Sequence, residues 1–306
     1  MIKKPWVEQY RPNSLSDVIF TDERTRRIFA SYVKNRELPN LLLYGGPGTG
    51  KTSISAALLR DLDVDRLDWI KVNCSNEKIE ALREKVISFA QTMPLGDFKV
   101  VRLEEFDYIG HDAQALLRAL MEEVSGTCRF IATCNYIAKI TPPLRSRFQE
   151  FAIAAPNREQ VLERAAEILA SREIECDIDD LEKIVAAGYP DLRKVIQLLE
   201  QSSTSGKLVL GAGDASVSDW KLQLLPALEA SDVKLARKVV CESATAEELQ
   251  EIYGFLYRNV QRVQKLKGYL DDAIVVLAKY QQMHAFAADK ELNVAAMFCE
   301  LDQLTR

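Results

Sequence analysis

The sequence predicts an α/β fold built on a parallel sheet and continued by helices alone. Three observations carry that expectation. Short apolar runs alternate with amphipathic helical stretches through the first half of the chain. A glycine-rich turn, Gly45-Gly46-Pro47-Gly48-Thr49-Gly50, joins one of those runs to the helix after it. Beyond Phe151 the strand-like runs stop and helical periodicity takes over. Strands that alternate with helices need crossover connections, which put helices on both faces of a parallel sheet.

Leu41-Leu42-Leu43-Tyr44 is the first buried strand candidate, followed by Trp69-Ile70-Lys71-Val72, by Val100 to Leu103, and by Arg129-Phe130-Ile131-Ala132-Thr133. Helical patterns at Ser53–Leu62, Lys78–Gln91 and Asp112–Glu123 separate them. Pro156-Asn157-Arg158-Glu159 opens a further helix with Asn157 as its N-cap, and helices run on to about Gln201. This segment, about 50 residues, is too short to be very stable alone and is expected to pack on the first unit. Ser202-Ser203-Thr204-Ser205-Gly206 and Gly211-Ala212-Gly213 mark a break, with Leu208-Val209-Leu210 inside it. From Asp219 to Arg306 the pattern is again helical and carries no chemical motif.

The 306 residues suit two or three domains. No apolar run approaches the roughly 18 residues that cross a bilayer, and Met1-Ile2-Lys3-Lys4-Pro5-Trp6 lacks a signal peptide's apolar stretch. A cytoplasmic protein without membrane contact is expected. Cys74, Cys128, Cys134, Cys176, Cys241 and Cys299 form no CxxC pair, which argues against zinc and for buried free thiols. The net charge of −5 gives no support for a protein that coats DNA by itself. It permits contact through a few placed cations.

Gly45 to Thr52 matches GxxxxGK[ST] in full, after a strand and before a helix, which is the context a P-loop requires. Gly45, Gly48 and Gly50 let the backbone turn its N–H groups toward phosphates. The helix N-terminus, with Thr49 and Ser53 beside it, adds partial positive charge. Lys51 reaches the β- and γ-phosphates of ATP, and the Thr52 hydroxyl coordinates Mg²⁺. Val100-Val101-Arg102-Leu103-Glu104-Glu105 supplies the carboxylates such a site needs at a neighbouring strand's end. Glu104 would serve the metal and Glu105 would polarise the attacking water. Arg102 is out of place in a strand that is otherwise apolar.

These residues together resemble the AAA+ ATPases, and further segments are similar to clamp-loader subunits of the replication factor C type. Trp6-Val7-Glu8-Gln9-Tyr10-Arg11-Pro12 resembles the family's W-x-E-K-Y-R-P segment, which implies adenine contact at Tyr10, Arg11 and Pro12. Ala113 to Glu122 resembles the helix after the acidic pair, and Arg129 to Tyr136 the sensor 1 strand, with Asn135 as the sensor. Pro143-Leu144-Arg145-Ser146-Arg147-Phe148 resembles the Ser-Arg-Cys motif, and Asp191-Leu192-Arg193-Lys194 fits sensor 2. The resemblance covers roughly residues 5–200; the remainder matches a collar only in position and helical character. Glu105-Phe106-Asp107 and the short length look most like the large subunit of T-even-type phage clamp loaders. That would place the chain in a host's cytoplasm.

The resemblance implies a RecA-like AAA+ domain at 1–153, a helical lid at 154–205 and a helical collar at 206–306. It implies that Arg147 acts in a neighbour's ATP site, that Arg193 contacts the γ-phosphate from the lid, and that Asn135 holds the water. Lys78, Arg83 and Arg118 match the positions that grip primer–template DNA, or else form a solvated helix face. Phe89, Met93, Leu95 and Phe98 are either a docking patch for a sliding clamp or ordinary core. Partners would be the clamp, primed DNA and other loader subunits, in a pentamer with a second subunit type. Glu104 replaces the family's Asp and Phe148 its Cys, so metal affinity is the property in question. The rivals are a different AAA+ DNA machine, a structural subunit that binds ATP without hydrolysing it, and a phosphotransferase for which no acceptor site is visible.

Overall fold

The computed structural model describes residues 4–75, 79–204, 206–209, 220–230, 232–245 and 248–304, with only the backbone given for 79–83, 204 and 229. The chain divides into two units, 1–161 with 190–194, and 162–189 with the remainder from 195.

The first unit holds a five-stranded sheet of β1 (Leu41–Tyr44), β2 (Trp69–Asn73), β3 (Lys99–Glu104), β4 (Cys128–Cys134) and β5 (Gln149–Ala152). The order is β2-β3-β4-β1-β5 and every pairing is parallel. The four expected strands are present. β5 was not anticipated, because Gln149-Glu150-Phe151-Ala152 lies at the sheet edge and lacks the apolar run that marks a central strand. The expectation that strands stop after Phe151 is corrected a second time by a two-residue pair, β6 (Ser203–Thr204) with β7 (Lys207–Leu208).

Helices α1 (Trp6–Gln9), α2 (Glu23–Asn35), α3 (Lys51–Asp61), α4 (Ile79–Ala90), α5 (His111–Glu123) and α6 (Pro142–Arg145) belong to the same unit. Alternate residues of each strand point to opposite faces. Leu42, Val101, Leu103, Phe130 and Ala132 therefore pack with Leu117 and Leu120 of α5. Leu41, Leu43, Val100 and Ile131 pack with Phe29 of α2 and Ile54 and Leu58 of α3. The chain leaves β1 for the far edge of the sheet and returns through β3 and β4 to lie beside β1. This reversal opens a crevice at the strands' C-terminal ends, where α/β sheets place their ligands.

α7 (Arg158–Ala170) starts where Asn157 predicts: Asn157 Oδ1 accepts from Gln160 N at 2.8 Å, and Gln160 Oε1 accepts from Asn157 N at 3.1 Å. The second unit contains most of α7, α8 (Ile178–Gly188), most of α9 (Leu192–Ser202), α10 (Trp220–Glu229), α11 (Val233–Ser243), α12 (Ile252–Asn259), α13 (Leu270–His284) and α14 (Lys290–Gln303). Trp220, Tyr253, Phe255 and Phe298 anchor its core, and Ala186 of α8 joins them. Leu210, Gly211–Gly213 and Asp219 lie outside the described residues. All six cysteines are free. Cys74, Cys128 and Cys134 are buried, but Cys176 and Cys299 are exposed, which corrects the expectation of buried thiols throughout. Among the described residues no helix is long and apolar enough to cross a membrane.

Candidate phosphate site at the strand ends

The turn after β1 has the shape its glycines dictate. Gly48 has φ +71°, and a Cβ there would lie 2.0 Å from Asp191 Oδ1. At Gly45, φ +151°, a Cβ would lie 2.2 Å from the carbonyl oxygen of Ile153. Only glycine combines such a φ with so close an approach. α3 begins directly at Lys51, so its free N–H groups open toward the turn.

Lys51 Nζ donates to the carbonyls of Gly45 at 2.8 Å and Gly46 at 2.6 Å, and to Asn135 Oδ1 at 2.9 Å. The motif lysine and the sensor residue, 84 positions apart, thus meet across the crevice between β1 and β4. Burial pushes the Lys51 ammonium down to about 8; nearby Arg193 acts the same way, while Asp107 and Asp191 oppose it. Glu105 is exposed just past β3 and adopts φ 55°, ψ 44°, a left-handed conformation uncommon outside glycine. Thr49 Oγ1 donates to Gly46 O at 3.0 Å and holds the turn closed.

Glu104 is 8% exposed, and both its oxygens are engaged. Oε1 accepts from Arg102 at 2.9 Å and Oε2 lies 2.7 Å from Lys71 Nζ. The same Arg102 terminal nitrogen donates to the backbone carbonyl of Thr52 at 3.3 Å, and its guanidinium stands 5.8 Å from the Trp69 ring centre. This accounts for an arginine inside the strand: it ties the residue expected to serve the metal to the helix that carries Thr52. Burial lowers the guanidinium's proton affinity and Glu104 opposes that shift. Among the described residues no group of three or more His, Cys, Asp or Glu could hold a metal. An ion here would rely on phosphate oxygens, and the hydroxyl and carboxylate of Thr52 and Glu104 are hard donors that suit Mg²⁺.

Arg193 is exposed near the start of α9, whose first turn is capped by Asp191: Oδ1 accepts from Arg193 N at 2.8 Å. Arg147 is half-exposed and ion-paired with Glu122 of α5 in its own chain. Its neighbour Arg145 forms a two-pronged pair with Glu150, at 2.8 and 2.9 Å. Phe148, at the family's Cys position, is buried edge-on to Phe106 with ring centres 5.9 Å apart. Tyr10, Arg11 and Pro12 are half-buried, with Tyr10 edge-on to Trp6 at 6.1 Å. Ser53 follows Thr52 in the first turn of α3.

Arg118 is exposed on α5. Lys78 lies outside the described residues, as does the side chain of Arg83. Met93 and Leu95 are exposed, at 78% and 71%, whereas Phe89 and Phe98 pack against the core. Asp68, buried, accepts from Leu95 N and Gly96 N and so shapes the loop that presents these two residues.

Two acids were missed from sequence. Buried Asp107 accepts from Asn135 N at 3.4 Å and Tyr136 N at 3.3 Å and fixes the sensor loop. Asp191 lies against Gly48. The N-cap signal before α9 was readable, but its position over the P-loop was not.

A P-loop after a central strand, with acids and a sensor on adjacent strand ends, defines a nucleoside triphosphatase domain, and the family model for "ATPase family associated with various cellular activities (AAA)" matches residues 41–155. The replication factor C small subunit of Sulfurisphaera tokodaii is 37% identical over 244 residues, covering 76% of this chain and 74% of that one. That of Methanococcus maripaludis is 39% identical over 207 residues, covering 66% of this chain and 65% of its own length. The chain belongs to the replication factor C small subunit family. It spans just under two thirds of the length of the Methanococcus relative. The Thermotoga maritima RuvB Holliday junction branch migration motor shares the fold, with a TM-score of 0.56 at 17% identity over 80% of each chain.

Proposed function

We propose that this chain is an ATPase subunit of a sliding-clamp loader, in which ATP binding supports clamp opening and primer–template binding and hydrolysis releases the clamp. The observation that carries the reading is the Lys51–Asn135 contact, which joins the P-loop lysine to the sensor on the adjacent strand. Family membership supplies the context. Lys51 would neutralise the β- and γ-phosphates, Glu105 would take a proton from the attacking water, and Asn135 would orient that water. Arg193 would report the γ-phosphate, and Tyr10, Arg11 and Pro12 would flank the adenine. Thr52 and Glu104 would hold Mg²⁺, whose chemistry when bound is to neutralise phosphate charge. Arg147 would leave Glu122 to serve a neighbouring subunit.

Arg118, with Lys78 and Arg83, would grip the DNA backbone, and Met93 and Leu95 would dock the clamp. Residues 154–205 would act as the lid and 206–306 as the collar of a pentamer with a second subunit type. Glu105-Phe106-Asp107 supports a phage-type large subunit working in a host's cytoplasm. The double pairing of Glu104 favours one alternative, a structural subunit that binds ATP without turnover.

Lys51→Ala is the direct test. The expected outcome is loss of ATP hydrolysis and nucleotide affinity weakened at least tenfold by calorimetry, with an unchanged melting temperature. Near-normal turnover in the folded variant would overturn the phosphate-site assignment. A wild-type complex that binds ATP, clamp and primed DNA but never hydrolyses would establish the structural alternative.

A further inference from the structure

Glu104 stands at the strand end where a P-loop protein keeps a carboxylate for its metal, yet neither of its oxygens is free. Arg102 and Lys71 hold one each, at 2.9 and 2.7 Å. Two cations around one carboxylate leave this cluster with a net charge of +1 in place of −1. The inner cation is well shielded from solvent, with the Arg102 side chain 6% exposed, so salt and water screen it poorly. It also reaches the carbonyl of Thr52, the residue whose hydroxyl is proposed to serve Mg²⁺. Arg102 Nε has no hydrogen-bond partner despite its burial, so the guanidinium is not held merely to satisfy its own donors. An arginine in a central parallel strand is costly to bury, and a purely structural role would be served by an apolar residue like its neighbours Val100 and Val101.

A free carboxylate beside a polyphosphate repels it until a divalent ion lies between them. A carboxylate already neutralised does not. We propose that Arg102 is a built-in counter-cation of the metal-side carboxylate, and that it lets this site hold the triphosphate of a nucleotide with a reduced dependence on Mg²⁺. Arg102 acts through Glu104 and the local field, and is a positioning residue. The inference rests on the phosphate-site reading above.

The experiment measures affinity for the β,γ-imido analogue of ATP by calorimetry, on the full chain, in excess EDTA and in excess MgCl₂. The quantity read is the ratio of the two Kd values. Arg102→Met keeps an unbranched apolar stem and removes the charged guanidinium. It should raise the ratio about tenfold, by weakening binding in EDTA while leaving binding in Mg²⁺ nearly unchanged. Arg102→Lys should stay near the wild-type ratio. Adding Glu104→Gln to Arg102→Met should bring the ratio back down, because no carboxylate charge is then left beside the phosphates. Lys71→Met, at a half-exposed position, should move the ratio in the same direction by about two- to threefold, and it carries the test if Arg102→Met does not fold. An unchanged ratio in Arg102→Met, or in Lys71→Met where that variant carries the test, overturns the proposal. So does an equal loss of affinity in both buffers, the signature of a structural role. Absence of binding by the wild-type chain in both buffers overturns the phosphate-site reading itself, and this inference falls with it; wild-type binding in Mg²⁺ alone overturns this inference only.

Discussion

Glu105 pairs a left-handed backbone with an exposed carboxylate. Such a conformation costs on the order of 1 kcal/mol and persists where surrounding packing enforces it, here buried Glu104 on one side and buried Phe106 on the other. The bend falls directly after β3, where the side chain is exposed. Glu105→Gln preserves size and removes the carboxylate proposed to act as base. Turnover should fall by about 10²-fold or more, while ATP, clamp and DNA remain bound in equilibrium assays. Loss of ATP binding instead would assign Glu105 to the metal. Lys51 adds a pH dependence. Its ammonium, held down to about 8 by burial, would be the form that binds phosphate. Nucleotide affinity should be full below that value and decline as pH rises through it; a flat calorimetric profile from pH 7 to 9.5 would show that another cation dominates. The sign for stability is opposite. A lysine whose proton affinity is lowered by folding makes the nucleotide-free fold gain stability between about 8 and its ordinary 10.5.

At the scale of elements, α5 serves two directions at once. Ala113, Gln114, Leu117, Leu120 and Met121 face the core. Arg118 and Glu122, four residues apart, share the solvent face, where Glu122 engages Arg147. A cation at Arg118 can contact a phosphate backbone without disturbing the core. Arg118→Ala should therefore lower DNA-stimulated ATPase several-fold and leave the basal rate within about twofold, with no change in thermal unfolding. An equal loss in both rates would mark Arg118 as structural. α9 shows the same economy, since Asp191 caps the helix that carries Arg193 while its carboxylate lies against Gly48.

On the scale of the whole molecule, the decisive question is whether Arg147 works in another subunit. Its pair with Glu122 is solvent-exposed, and such pairs contribute roughly 0–1 kcal/mol, so release is cheap. Arg147→Ala should leave ATP affinity of the single chain nearly unchanged and reduce hydrolysis by the assembly about 10³-fold. Mixing it with Lys51→Ala should restore part of the activity, because some interfaces then pair an intact pocket with an intact arginine. If mixed assemblies form by native mass spectrometry and remain inactive, Arg147 acts within its own chain.

Local physics alone determined much of this protein. Apolar runs and helical periodicity located four of the five strands of the main sheet and the helices between them, and the glycine pattern with Lys51 and Thr52 marked the proposed phosphate turn, because these signals depend only on neighbouring residues. The edge strand Gln149–Ala152 escaped, since its pairing with β1 and not its composition makes it a strand. Asp107 and Lys71 gave no sign of their partners, Asp191 gave none of its place against Gly48, and Arg102 looked like an anomaly. Only the tertiary structure decided that Lys51 meets Asn135 and that Arg102 and Lys71 close on Glu104. Those contacts arise where parallel strands bring distant segments to one sheet end, and no spacing along the chain encodes which strand will lie beside which.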